Sequence, residues 1–224
     1  RETIQQFIDL GTEGFREHLF AFLREIIPVA ESVKAKMCIH PDDPPFSLFG
    51  LPRVVSTASD AQALLDACPS PANGLTMCAG SYGARGDNNL VQMVNDFGPN
   101  IYFVHLRNVI READGSFYES DHLDGDNDMV QSVETVLAQI AEEDAVPYII
   151  AEIPTNPRVE VPDLDKLKEA LSRQRKTASG KEAIDPVFIL DQTFCPNVHF
   201  LGDGEILSTV RTISYVSGSK FPSG

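Results

Sequence analysis

Two histidines and one cysteine are the side chains in this sequence whose types and positions best suit metal chemistry. Each of His40, Cys78 and His105 lies at or next to the carboxyl end of a predicted strand. Two imidazoles and a thiolate form a donor set for a borderline-soft divalent cation. The alternative for any one of them is a packed or hydrogen-bonded side chain, and we favour that alternative for Cys38 and Cys68.

The elements that must position these donors follow from apolar periodicity. Strands are predicted over 36–40, 74–78 and 101–106, and helices over 13–33, 59–68 and 88–97, with a loop over 80–86. Short strands alternating with helices indicate parallel βα units, in either a doubly wound sheet or a (β/α)8 barrel. In both folds the carboxyl ends of the strands open on one face, so the three donors should converge. The fold class is α/β.

Several motifs in the first 128 residues resemble mannonate dehydratase. These motifs are Ile39-His-Pro-Asp-Asp-Pro-Pro45, Phe49-Gly-Leu-Pro-Arg53, Ser70-Pro-Ala-Asn-Gly74, Phe103-Val-His-Leu-Arg-Asn108 and His122-Leu-Asp-Gly-Asp126. The resemblance implies part of a TIM barrel that converts D-mannonate to 2-keto-3-deoxy-D-gluconate, with His40, Cys78 and His105 as metal ligands. The donors alone would suggest zinc, whereas the family uses Mn2+ or Fe2+, and we side with the family.

The same resemblance suggests roles for three further residues. Arg107 would pair with the substrate carboxylate and take part in catalysis, Asn108 would bind substrate, and His122 would hold a hydroxyl as a catalytic residue. A surface ion pair is the alternative for Arg107. The family's later Arg-Pro-Asp-His-Gly stretch is absent from this sequence, so we expect weak metal binding and impaired turnover.

The second predicted segment, residues 129–224, carries a different chemical pattern. Helices are predicted over 128–143 and 164–172, and strands over 148–152, 187–191 and 212–216. Lys220 could form a Schiff base with pyridoxal phosphate (PLP), Asp191 could keep the pyridine nitrogen protonated, and Ser217 and Ser219 could hold the phosphate. A solvated lysine is the alternative for Lys220.

From about residue 130 the sequence resembles the cystathionine gamma-synthase and beta-lyase family of PLP enzymes. The motifs are Glu152-Ile-Pro-Thr-Asn-Pro157, Ile189-Leu-Asp-Gln-Thr-Phe194 and Ser217-Gly-Ser-Lys220, and Asn156 matches a residue near the cofactor's 3-hydroxyl. The resemblance implies a fragment of a PLP-dependent transferase large domain joined to the partial barrel of residues 1–128. A third hypothesis is an inactive hybrid α/β protein that binds a metal or nothing.

Composition limits the classes of partner. The 224 residues have a formal charge of −15, which disfavours nucleic acid and anionic membranes, while a small sugar acid can still bind where the local potential is positive. Four cysteines without paired short spacing fit a cytoplasmic setting, and no apolar run is long enough to span a bilayer. We expect a fragment of a longer protein, with open sheet edges that favour homo-oligomers.

Overall fold

Parallel strands and helices alternate along the chain. The computed structural model describes residues 2–141, 148–154, 161–176 and 180–216. The helices are α1 (Glu2–Ser32), α2 (Ala58–Ala67), α3 (Ala79–Gly83), α4 (Leu90–Phe97), α5 (Met129–Ala141) and α6 (Leu164–Ser172). The strands are β1 (Met37–Ile39), β2 (Asn73–Cys78), β3 (Ile101–Leu106), β4 (Asn108–Arg111), β5 (Phe117–Ser120), β6 (Tyr148–Glu152), β7 (Val187–Asp191) and β8 (Thr212–Tyr215).

Six of these strands form one parallel sheet in the order β1-β2-β3-β6-β7-β8, and β4 and β5 form a separate antiparallel hairpin. The order within the described strands never reverses, as it would at the switch point of a doubly wound sheet. The α/β class and the mainly parallel sheet are therefore confirmed. The three strands of the second predicted segment extend the same sheet as the first.

Local sequence explains where several elements begin. Thr57 caps α2 in a reciprocal capping box with Asp60, and the side chain of Asn89 accepts a hydrogen bond from the Gln92 amide at the start of α4. The predicted loop over 80–86 is wrong in its first half, where the short helix α3 follows Cys78. Helix α1 begins earlier than predicted because a bend at Gly11, with φ 67°, joins two helical stretches.

The core lies between one face of the sheet and the helices. Leu23 and Ile27 of α1 pack with Leu64 of α2, and Phe188 and Leu190 of β7 extend the same cluster. In β7, Phe188 and Leu190 are buried and Ile189 and Asp191 are partly exposed, as period-two alternation requires, whereas every residue of β2 is buried. One face of the sheet is therefore covered by helices, and the other is partly exposed along β7. Within the described ranges, no helix is long and apolar enough to cross a bilayer.

Candidate metal centre

The three donors predicted from the sequence lie together at the carboxyl edge of the sheet. One ligand atom from each of His40, Cys78 and His105 lies within 4.8 Å of the others. Cys78 and His105 are paired in the β2–β3 register, and the Cys78 Sγ is 3.4 Å from the His105 Nδ1. The rings of His40 and His105 have centroids 5.8 Å apart. The predicted convergence is thus present in the structure.

Cys78 is fully buried, yet its surroundings favour the thiolate. Burial alone would raise its pKa, but hydrogen bonds from His105, His40 and Ser81 outweigh burial and lower the pKa to about 5. The Ser81 hydroxyl is 3.2 Å from the sulfur, and the Ser81 backbone amide donates to it at 3.4 Å. A thiolate is the form of cysteine that binds a metal, so the site favours the required ionisation state.

His40 is oriented by a backbone contact. Its Nδ1 donates to the carbonyl oxygen of Pro41 at 2.8 Å, which leaves Nε2 for the site. Histidines that bind metals commonly donate their second ring N–H to a carbonyl in this way. The pKa of His40 is raised chiefly by its hydrogen bond to Cys78, while partial burial acts against this.

Arg107 lies beside the donors in a largely buried position. Its Nη1 contacts the Asp43 carboxylate at 2.6 Å and that of Glu119 at 3.4 Å. The side chain lies flat on Gly80, where a Cβ atom would come within 2.1 Å of the Arg107 Nε. Among the described residues, the Nε and Nη2 atoms have no hydrogen-bond acceptor. Both atoms are buried, so an anionic group would reach them only after the side chain or its neighbours rearrange.

Asn108 and His122 lie deeper than their predicted roles suggest. The Asn108 amide nitrogen donates to the carbonyls of His122 and Asn127, and its oxygen accepts from the amides of Val109 and Asn127. His122 is 8% exposed and lines a small apolar cavity on the helix side of the sheet; burial lowers its pKa. Roles for both in substrate binding or catalysis stay predictions, and contact with a sugar acid would require local rearrangement.

Two half-buried carboxylates at the same edge were missed in the sequence. Glu119 lies on the hairpin strand β5, and Glu152 ends β6. Burial raises the pKa of both, and each interacts electrostatically with His105 and Arg107. The strand-end rule that found the metal donors applies equally to Glu152, whereas Glu119 could not be found without the hairpin.

Of the predicted PLP contacts, only Asp191 lies in the described part of the chain. It ends β7, and it accepts hydrogen bonds from the Thr193 amide at 2.9 Å and from the Tyr215 hydroxyl at 2.7 Å. The other four, Asn156, Ser217, Ser219 and Lys220, lie outside the described residues.

Comparisons with known proteins assign the first two thirds of the chain to a protein family. The family model described as D-mannonate dehydratase (UxuA) matches residues 1–149. The chain belongs to this family. The match extends beyond the predicted boundary at residue 128, and the comparisons give no support to the PLP fragment.

Curated members of the D-mannonate dehydratase family are similar in sequence to about the same part of the chain. The mannonate dehydratase of Saccharophagus degradans is 71% identical over 157 residues, covering 70% of this chain and 40% of that protein. Mannonate dehydratase 2 of Agrobacterium fabrum is 55% identical over 136 residues, covering 61% of this chain and 34% of that protein. The chain therefore spans about two fifths or less of the length of these curated relatives.

A solved structure supports the fold. The crystal structure of mannonate dehydratase from Streptococcus suis serotype 2 matches with a TM-score of 0.55 and 37% sequence identity. The alignment covers 58% of this chain and 38% of that one. The parallel α/β architecture of the aligned part is therefore that of a mannonate dehydratase.

Proposed function

We propose that this chain carries the metal-binding part of a D-mannonate dehydratase, which eliminates water from D-mannonate to give 2-keto-3-deoxy-D-gluconate. The observation that carries the proposal is the convergence of His40, Cys78 and His105 within 4.8 Å in a chain of this family. The parallel sheet would form part of a TIM barrel, since its strands follow one another in chain order.

The residues present fit a divalent cation. One donor atom from each of His40, Cys78 and His105 lies within 4.8 Å of the others, so the three would hold one divalent cation together after a small movement. The hydrogen bond to Pro41 orients the His40 ring, and the lowered pKa of Cys78 favours the thiolate. Both features favour binding of a divalent cation. We propose Mn2+ or Fe2+, with the remaining positions taken by oxygen ligands.

Dehydration requires removal of the C2 proton beside the carboxylate and loss of the C3 hydroxyl. A bound divalent cation supplies positive charge that stabilises the electron density left on the substrate. The Nε and Nη2 atoms of Arg107 have no acceptor among the described residues and would bind the substrate carboxylate after a local rearrangement that exposes them. Glu119, 3.4 Å from the same guanidinium and with a raised pKa, is placed to accept or return a proton.

The test combines a metal analysis with an assay of 2-keto acid release from D-mannonate in the presence of Mn2+. We expect one ion per chain and release of the 2-keto acid. His105→Ala should lose both the ion and the activity. His18→Ala, an exposed histidine on α1, is the matched control. Activity unaffected by His105→Ala would eliminate the proposed site.

A second candidate function concerns the segment after residue 128. Asp191 ends a parallel strand and is fixed by Thr193 and Tyr215, a position suited to a group that holds the pyridine nitrogen of PLP. In this proposal the part of the predicted segment 129–224 that lies beyond the family match, which ends at residue 149, derives from a PLP enzyme of the cystathionine gamma-synthase and beta-lyase type. Added PLP should then give the visible absorbance of a Schiff base that Lys220→Ala abolishes and Lys168→Ala retains. A spectrum unchanged by added PLP would remove this candidate.

A third candidate is a hybrid that binds a metal without turnover. Metal retention by the wild type, lost in His105→Ala, together with no keto acid release would favour it over the dehydratase. Strands β1 and β8 are the edges of the described sheet, and such edges favour pairing between copies. We propose a homo-oligomer on this basis, which light scattering after gel filtration would test.

A further inference from the structure

The open face of the sheet carries two rows of side chains in register. Leu106, Ala151 and Ile153 line the cavity against α5 and α6, so they face the helices. Because side chains alternate along a strand, His105 and Glu152 face the open side. On this side the first row continues from Cys78 and His105 into Ile150, Ile189 and Ile213.

The second row lies two residues further along each strand, nearer the carboxyl edge, and its side chains are polar. Leu106 pairs with Ala151 in the β3–β6 register, so Arg107, the next residue, adjoins Glu152. Glu152 pairs with Asp191, and Asp191 pairs with Tyr215. A guanidinium, two carboxylates and a phenol therefore follow one another across four strands beside the metal donors.

The carboxylates of Glu152 and Asp191 can each accept hydrogen bonds in addition to those present. Tyr215 and Thr193 hold Asp191 in place, but a carboxylate offers about four acceptor positions, so one oxygen can accept further bonds. Within the described ranges, no hydrogen bond to the Glu152 carboxylate is present, and this group is half-buried. Hydroxyl groups are the natural donors to such acceptors.

We propose that Glu152 and Asp191 form a polyol subsite, which binds the hydroxyl tail of a linear sugar acid whose carboxylate is held by Arg107. This inference rests on the proposed function, since it places the acid end of the ligand at the metal donors. Neither carboxylate has been assigned a role in the dehydration, and both act here by positioning the ligand.

The length of the row suits a six-carbon chain. Neighbouring strands are about 4.8 Å apart, so Arg107 and Asp191 are separated by roughly 10 Å across two strand spacings. Five C–C bonds of about 1.5 Å each span roughly 6 to 7 Å, and a hydrogen bond of about 3 Å at each end brings Asp191 within reach. A three-carbon acid held at Arg107 would reach Glu152, one strand spacing away, but would not reach Asp191.

The charge of the row adds a preference. Burial raises the pKa of Glu152, and the negative charges of Glu119 and Asp191 raise it further because each repels the Glu152 carboxylate. A tail that ends in a second carboxylate would add to this repulsion, whereas a neutral polyol would donate hydrogen bonds to the same oxygens. The subsite should therefore prefer acids charged at one end to diacids.

The test is calorimetric titration of the Mn2+-loaded protein with D-mannonate, with its diacid D-mannarate and with the three-carbon acid D-glycerate. We expect the wild type to bind mannonate more tightly than mannarate. Glu152→Gln should weaken mannonate binding about tenfold, the effect of losing hydrogen bonds to a charged acceptor. It should also reduce the discrimination against mannarate. Asp191→Asn should act in the same direction on mannonate and mannarate and should leave glycerate binding unchanged, because glycerate is too short to reach Asp191.

The matched control is Glu25→Gln, the same substitution at an exposed position of α1. If the wild type binds mannonate but neither Glu152→Gln nor Asp191→Asn weakens that binding, the subsite is overturned and the proposed function stands. Failure of the wild type to bind mannonate overturns the proposed function and the subsite with it. Circular dichroism of each variant verifies folding, and Glu152→Gln decides the matter if Asp191→Asn does not fold.

Discussion

The lowered pKa of Cys78 predicts that protein stability depends on pH through this one side chain. The thiol changes from an ordinary pKa of 9.0 to about 5 in the folded protein. Above pH 5 the folded protein therefore holds a thiolate while the unfolded chain still holds a thiol. Folding then releases a proton, so the free energy of unfolding rises with pH.

His40 limits the pH range in which this increase is seen. Its pKa is raised above 6.5 in the folded protein, chiefly by the bond to Cys78. Below pH 6.5 this imidazole is protonated in both states and contributes no slope. Above pH 6.5 the folded protein retains a proton on His40 that the unfolded chain loses, which offsets the proton released by Cys78. The increase is therefore present from pH 5 to 6.5, is cancelled between pH 6.5 and the folded pKa of His40, and resumes above that pKa until the unfolded thiol ionises near pH 9.

The magnitude follows from one proton over this range. Each pH unit is worth about 1.4 kcal/mol for one proton, so about 1.5 units give roughly 2 kcal/mol. The assay is urea unfolding followed by circular dichroism, with chelator and reductant present, for the wild type and Cys78→Ser. The difference in free energy of unfolding between the two proteins should grow by this amount from pH 5 to 6.5. The titrations of the carboxyl groups are common to both proteins and cancel in this difference.

The control is Cys38→Ser, which removes an exposed thiol and should leave the pH dependence as in the wild type. Parallel stability curves for the wild type and Cys78→Ser across the range would refute the reasoning. The thiol would then be protonated in the folded protein, and the charge interaction with the two histidines would be absent.

Three further outcomes are expected. Gly80→Ala should destabilise the protein by roughly 1 to 3 kcal/mol in chemical denaturation, since its Cβ would lie 2.1 Å from the Arg107 Nε, whereas Gly86→Ala, with its nearest atom at 3.9 Å, should be nearly neutral. Phe188→Ala should cost about 3 to 5 kcal/mol and Phe49→Ala less than about 0.5 kcal/mol, because these side chains are 1% and 91% exposed. Mn2+ at about a hundredfold excess over its Kd should stabilise the protein by about 2.7 kcal/mol, and a chelator should reverse this.

Much of the fold could be predicted because its signals are local. Buried strands such as 101–106 are apolar runs bounded by turn residues, and their bounds in the structure match the prediction. The convergence of His40, Cys78 and His105 could be predicted from topology, since residues at the carboxyl ends of parallel strands share an edge. The hairpin β4–β5 was missed because Asn108 to Arg111 reads as a continuation of β3.

The partners of Arg107 could not be predicted, because they depend on contacts between distant segments. Asp43 lies 64 residues away, and Glu119 comes from the missed hairpin. The buried roles of Asn108 and His122 were hidden for the same reason. A polar residue next to a strand end can face the open edge or the helix layer, and the chain that packs against it decides which.

The register of β2 and β3 is the step that brings the metal donors together. Leu75 pairs with Ile101 but Thr76 pairs with Phe103, so Tyr102 is an extra residue on β3. A regular ladder from Leu75 would place Cys78 beside Val104 and turn His105 toward the helices, since a shift of one residue exchanges the two faces of a strand. The irregularity instead pairs Cys78 with His105. Ligand types at strand ends are therefore necessary but insufficient for this site, because a single inserted residue within β3 determines whether the imidazole faces the thiolate.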